Sequence, residues 1–170
     1  RPVSALALSE VHKTLGATLS SVNGMEVVAD YGVVAPEAEA LRQSVGVVDL
    51  SFRGRLCLTG ADRSRLLHGQ VTNDVQKLQP GQGTYAALVT AKGRLESDLN
   101  IYALDNELLL DFEPGLSAKI IARLDHYIVA DDVQVIDVAP HYGLLSFQGP
   151  RCGEVIQALD LAPALPAQPF

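Results

Sequence analysis

Polar side chains recur at every second position between residues 95 and 102, at Glu96, Asp98, Asn100 and Tyr102. Successive side chains of a β-strand point to opposite faces, so this spacing predicts a strand with one polar and one apolar face. Carboxylate and amide oxygens accept hydrogen bonds from N–H groups. The pattern therefore indicates a surface for a nitrogen-rich ligand; the alternative interpretation is the solvated face of an ordinary antiparallel sheet.

The preceding residues predict a partner strand that brings a tyrosine to this face. If Lys92-Gly93 forms a two-residue turn, Ala87 lies opposite Asp98 and Tyr85 lies opposite Asn100. Tyr85 and Asp98 are then diagonal neighbours on one face. The small side chain of Ala87 leaves room there for a flat ligand.

A third strand adds further acceptors to the same surface. The short connection Asp105-Asn106 places Asp111 opposite Asn100 and Glu113 opposite Asp98. A carboxylate beside an aromatic ring suits the amine-rich edge of a pterin, because the oxygens accept its N–H groups while the ring packs on apolar atoms.

The rest of the chain predicts an α+β fold of antiparallel sheets with packed helices. Consecutive strands joined by tight turns cannot form a parallel crossover sheet, which excludes a doubly wound α/β fold. The predicted helices cover residues 5–14, 36–46, 62–68, 116–127 and 151–159. The predicted strands cover two runs within 17–31, then 47–49, 55–58, 85–90, 95–104, 107–112, 133–138 and 142–147.

Composition excludes several functional classes. The net charge of −7 opposes nucleic-acid binding, which needs a basic surface to displace counterions from phosphates. No apolar run reaches the roughly 20 residues that cross a bilayer, so no membrane partner is expected. The four histidines lack metal-ligand spacing, and the two cysteines show no disulfide pattern, so the sequence predicts no metal site.

Seven segments, in this order along the chain, resemble the YgfZ/GcvT folate-binding superfamily. They are RQSVG at 42–46, VVDLS at 47–51, LTGAD at 58–62, LHGQVTNDV at 67–75, GTY at 83–85, AKGRLESDL at 91–99 and LLSFQGP at 144–150. The ordered series is much more specific than any single segment. The resemblance covers nearly the whole chain and implies that it is an N-terminal portion of such a protein.

The resemblance implies a tetrahydrofolate site and assigns residues to it. Asp98 matches the aspartate that, in the aminomethyltransferase, contacts folate and is required for transfer; Tyr85 matches a folate-contacting tyrosine. Asn100 shares their face. Asn73 is expected at the border of the cavity, although an asparagine after the helix-ending Gly69 is also typical of a turn.

Two features favour the YgfZ-like branch. The pattern Gly-Gly-x-x-Asp-Asp-Leu, usual in the aminomethyltransferase, lacks its first glycine and first aspartate here, and residues 68–74 look closer to the YgfZ-like branch. The expectation is therefore a non-catalytic or weakly catalytic tetrahydrofolate-binding factor for iron-sulfur cluster assembly or repair. It would act in bacterial cytoplasm or mitochondrial matrix, with folate and iron-sulfur proteins as partners. The alternative is an aminomethyltransferase with Asp98 as its catalytic residue. A third possibility, a protein-interaction module, predicts no folate affinity.

The same resemblance predicts the domain organisation of the chain. Residues 1–50 form part of a first lobe, and residues 51–160 form a ferredoxin-like α+β lobe that binds folate. Residues 161–170 contain several prolines and are expected to be a linker to a C-terminal region.

Overall fold

The computed structural model describes residues 3–161. Its helices are α1 (Ser9–Thr14), α2 (Val34–Gln43), α3 (Arg63–His68), α4 (Ser117–Tyr127) and α5 (Cys152–Ala158). Its strands are β1 (Thr18–Val22), β2 (Met25–Asp30), β3 (Gly46–Asp49), β4 (Gly54–Thr59), β5 (Gly83–Val89), β6 (Leu95–Ala103), β7 (Leu108–Phe112), β8 (Gln134–Asp137) and β9 (Leu145–Gln148). Every strand pair is antiparallel, which confirms the predicted α+β fold with antiparallel sheets.

The described chain divides into two compact units. Residues 3–52 and 142–161 form the N-terminal unit, and residues 53–141 form the central unit. Residues 142–161 belong with the N-terminal unit because β9 pairs with β3. The sequence grouped them with the central lobe, so its boundary at residue 160 differs from this division. Its predicted linker lies, apart from Leu161, outside the described residues.

The N-terminal unit is organised around a buried histidine. β1 and β2 form a hairpin whose turn residues Asn23 and Gly24 have φ angles of 51° and 82°, as a primed turn requires. In α1, His12 Nε2 lies 2.7 Å from Asp49 Oδ2, and its Nδ1 lies 2.7 Å from Tyr31 Oη. These bonds tie α1 to the end of β3 and to the residue that follows β2.

The central unit contains one five-stranded sheet in the order β5-β6-β7-β4-β8. Its elements follow the order β-α-β-β-β-α-β, one strand more than the predicted ferredoxin-like pattern. The apolar face of the sheet packs with α3 and α4 into a core of buried side chains. The largest of them are Leu56, Leu58, Leu67, Leu88, Leu99, Ile101, Leu110, Phe112 and Leu124.

The connection between β5 and β6 differs from the predicted two-residue turn. Thr90 N donates to Arg94 O at 2.9 Å, so residues 91–93 form a three-residue loop with Gly93 at a φ of 72°. Leu88 pairs with Ser97 and Val89 with Leu95, which leaves Glu96 as an extra, bulged residue. The two departures cancel, so the predicted pairs of Tyr85 with Asn100 and Ala87 with Asp98 are both confirmed.

The bulge removes Glu96 from the polar face on which the sequence placed it. Its carboxylate contacts Arg123 and Lys119 of α4, the helix that packs on the apolar side of the sheet. Leu95, predicted on the apolar face, is exposed. An extra residue locally breaks strand alternation, so simple period-two counting fails here.

A tight contact between β4 and β7 leads to the first expected result. A Cβ on Gly54 would lie 2.2 Å from the buried Phe112 ring, so Gly54→Ala should lower the free energy of unfolding by about 1–3 kcal/mol in urea denaturation. Adding Phe112→Leu should recover part of that loss. Gly153→Ala, whose Cβ would meet nothing within 4 Å, is the control. An unchanged denaturation midpoint for Gly54→Ala would contradict the packing.

Among residues 3–161, no helix combines the length and the apolar character needed to span a membrane.

Candidate functional site

Tyr85 and Asp98 meet on the polar side of the central sheet. Tyr85 Oη donates a hydrogen bond to Asp98 Oδ2 at 2.9 Å, from β5 to β6. This bond raises the pKa of the Tyr85 phenol, because the carboxylate acceptor stabilises its protonated form. The phenol ring is exposed and Asp98 is half-buried, so both face the surface. The predicted juxtaposition of acid and phenol is confirmed.

The segment after α3 supports the outer edge of β5. Thr72 N donates to Ala87 O at 3.0 Å, and Ala87 N donates to Thr72 Oγ1 at 2.9 Å. Asn73 Nδ2 donates to Thr84 Oγ1 at 2.7 Å and to Tyr85 O at 3.1 Å. The structure therefore places Asn73 against the backbone of the strand that carries Tyr85.

Asn100 belongs to a polar network that extends to the start of β4. Its Nδ2 donates to Asp111 Oδ2 at 3.0 Å, and Arg53 Nε donates to Asp111 Oδ1 at 2.7 Å. Arg53 Nη1 also donates to Glu113 Oε1 at 2.8 Å. Asp111 lies opposite Asn100, as predicted, whereas Glu113 lies one residue beyond the end of β7.

These side chains define a surface that we call the polar face: Tyr85, Asp98, Asn100, Tyr102 and Asp111. Tyr102 is half-buried, and its pKa is raised mainly by burial and also by the negative charge of Asp111. Strand alternation places Tyr102 two residues from Asn100 on the same face. The alternation in the sequence predicted that Tyr102 lies on this face, but the sequence analysis assigned Tyr102 no role in ligand binding.

The sequence analysis missed two polar residues of this region: the buried Arg55, which lies opposite Asp111 on β4, and Arg53. Arg53 precedes β4. It reaches Asp111, which lies 58 positions later in the sequence, because β4 pairs with β7. No local spacing relates the two residues. The contact between Arg53 and Asp111 could have been predicted only by pairing β4 with β7 from the sequence.

The histidines and cysteines of the described residues do not form a metal site. Within residues 3–161, no group of three or more His, Cys, Asp or Glu side chains is arranged to hold a metal ion. Burial, followed by a hydrogen bond to Glu107, raises the pKa of the Cys57 thiol to about 12, which keeps it protonated and unreactive.

The polar face can therefore perform two kinds of chemistry. Its carboxylate and amide oxygens accept hydrogen bonds from a ligand rich in N–H groups, and Asp98 can in addition accept or return a proton. Ala87, opposite Asp98, adds little bulk beside the carboxylate. The exposed Tyr85 ring offers an apolar surface on which a flat ring can pack.

Comparison with known proteins gives the family. The family model described as the GCVT N-terminal domain matches residues 8–168. The chain belongs to this family. An aminomethyltransferase of Rubrobacter xylanophilus is 31% identical over 150 residues, which are 88% of this chain and 40% of that protein. An aminomethyltransferase of Bacillus subtilis is 29% identical over 164 residues, which are 96% of this chain and 45% of that protein.

A solved structure shares the fold of this GCVT-family chain. The glycine cleavage system aminomethyltransferase T from Bartonella henselae superposes with a TM-score of 0.83 at 24% identity, over 94% of this chain and 44% of that one. The chain thus spans about two fifths of the length of the curated relatives it matches.

These findings correct two expectations from the sequence. The YgfZ-like iron-sulfur interpretation is wrong, because the relatives above are named aminomethyltransferase. The preference for a non-catalytic factor is wrong for the same reason, and iron-sulfur partners have no support. The interpretation relied on the missing first glycine and first aspartate and on residues 68–74, whereas Asp98 and its tyrosine partner are both present and hydrogen bonded.

Proposed function

We propose that this chain is the tetrahydrofolate-binding part of an aminomethyltransferase that transfers a one-carbon unit to tetrahydrofolate. The observation that carries the proposal is the hydrogen bond from Tyr85 to Asp98 on an open sheet face. Both residues match the folate-contacting positions of the family. The names of the relatives support the same reaction class.

The proposal gives each residue a distinct task. Asp98 accepts hydrogen bonds from the ligand and moves a proton at the nitrogen that receives the one-carbon unit. Tyr85 holds one Asp98 oxygen by its hydroxyl and packs its ring against the ligand. Asn73 acts indirectly, since its amide holds the backbone at Tyr85. Asn100 supplies a further polar contact beside Asp98.

The residues present fit tetrahydrofolate. Its pterin carries amino and ring N–H groups, which complement the acceptors of the polar face, and its pyrimidine ring is flat. Ala87 leaves space above the sheet next to Asp98, where a larger side chain would collide with a ring lying on this surface. When bound, tetrahydrofolate supplies the nucleophilic nitrogen that accepts the one-carbon unit.

Calorimetric titration with tetrahydrofolate tests the site. Tyr85→Ala and Asp98→Ala should each weaken binding by about tenfold or more, because each removes a hydrogen bond to or from a charged group together with packing area. Tyr85→Phe should weaken it less, since the ring remains. Tyr127→Phe, an exposed tyrosine on α4, is the matched control and should bind like the wild type.

Two outcomes would reject the proposal. Unchanged affinity in both alanine variants would place tetrahydrofolate elsewhere or nowhere on the polar face. A wild-type chain that binds no tetrahydrofolate would instead favour a protein-interaction module.

A further inference from the structure

We infer that Asn100 presents its carbonyl oxygen to the ligand, and that Arg53 and Asp111 are positioning residues that fix this orientation. Along β6 the polar face would then present acceptor oxygens at both Asp98 and Asn100, and it would select a flat heterocycle with N–H donors along the edge that meets this strand. The identity of the ligand rests on the proposed function. The orientation of Asn100 rests on the hydrogen bonds of the protein itself.

Asp111 decides which way the Asn100 amide points. Its Oδ1 accepts from Arg53 Nε at 2.7 Å and its Oδ2 accepts from Asn100 Nδ2 at 3.0 Å. A carboxylate paired with a guanidinium has only acceptors to offer. Turning the Asn100 amide over would set its oxygen against a carboxylate oxygen, so the observed orientation is strongly favoured.

Arg53 holds Asp111 in place. Its guanidinium contacts Glu113 as well, at 2.8 Å, and its side chain is only 17% exposed. The Asp111 side chain is 8% exposed. A planar guanidinium held by two acids has little freedom to rotate, so it fixes the carboxylate that in turn fixes Asn100.

The consequence for the ligand follows from the planar amide. With Nδ2 directed at Asp111 on β7, the planar amide turns Oδ1 away from that carboxylate and leaves it to face a ligand on the polar face. Asn100 Oδ1 and the Asp98 carboxylate then stand two residues apart on β6, about 7 Å along the strand. A ligand edge with N–H donors can donate a hydrogen bond to each of these oxygens. A ligand carbonyl oxygen placed beside either of them would instead set one acceptor against another.

A double-mutant cycle measured by tetrahydrofolate calorimetry tests the role of Asp111. Asp111→Asn keeps the size of the side chain but lets the Asn100 amide adopt either orientation, so binding should weaken by about three- to tenfold. In an Asn100→Ala background, Asp111→Asn should cause no further loss, because its effect passes through Asn100. Asp125→Asn, exposed on α4, is the control for the charge change. Equal losses with and without Asn100 would overturn the inference.

A second measurement needs no ligand. In NMR spectra of the free chain, the side-chain NH₂ signals of Asn100, assigned by their loss in Asn100→Ala, should show one shifted, slowly exchanging proton. Asp111→Asn should remove that shift, and signals that do not move would overturn the orientation. If the wild type binds no tetrahydrofolate, the proposed function fails and the ligand half of this inference fails with it, while the NMR result still decides the orientation.

Discussion

Replacing Asp98 with asparagine is expected to lower the rate of the proposed one-carbon transfer by about 10²- to 10³-fold in the protein that carries this chain. The amide keeps the size of the carboxylate and can still accept the hydrogen bond from Tyr85 Oη. It cannot take up or return a proton at neutral pH. The measurement is kcat for formation of the folate product at saturating substrate, with tetrahydrofolate affinity determined in parallel.

Asp125→Asn is the matched control, because this exposed residue of α4 lies outside the polar face. The control should retain the wild-type rate. A loss in Asp98→Asn that appears only in affinity would assign Asp98 to binding alone. A rate within about twofold of wild type would remove it from the reaction.

Removing the His12 imidazole is expected to lower the free energy of unfolding of the N-terminal unit by about 3–5 kcal/mol. The Asp49 side chain is 1% exposed and that of His12 is 8% exposed, so His12→Ala leaves a buried carboxylate without this partner. Urea denaturation followed by NMR signals of β1 and β2 measures the effect. The double variant His12→Ala with Asp49→Ala should recover part of the loss, because no buried charge remains.

The same pair predicts how stability depends on pH. Burial alone would raise the pKa of Asp49, but hydrogen bonds from Ser51 and His12 outweigh it, so the pKa lies below its usual value. A lowered pKa contributes stability that is complete above the pKa of Asp49 in the unfolded state, about 4. This stability is lost as the pH falls through the lower pKa of the folded state. Asp49→Asn should flatten that acid limb. A wild-type unit equally stable on both sides of this range would contradict the assignment.

The local patterns of the sequence were enough to predict most of the central sheet. Strand alternation in β6 correctly predicted that Asp98, Asn100 and Tyr102 share a face, because side-chain direction in a strand depends only on the parity of position. The register of β5 against β6 was also predicted correctly, although the turn was not. The bulge at Glu96 compensated for a loop one residue longer than expected.

The choice between family branches could not be made from the short motifs alone. The differences from the Gly-Gly-x-x-Asp-Asp-Leu pattern at residues 92–98, together with the segment 68–74, favoured the YgfZ-like branch, which is wrong. A few substitutions beside the site carry little information about the reaction. Similarity over nearly the whole chain carried more.

The sequence by itself determined that Asp98, Asn100 and Tyr102 share a face and that Tyr85 contacts Asp98, because both depend on residues within one hairpin. Only the tertiary structure decided that Arg53 contacts Asp111 and thereby holds the carboxylate that lies opposite Asn100. That contact requires β4 to pair with β7, a strand that begins about fifty residues later. Such pairing is selected by burial of the whole core, for which no short stretch of sequence has a signature.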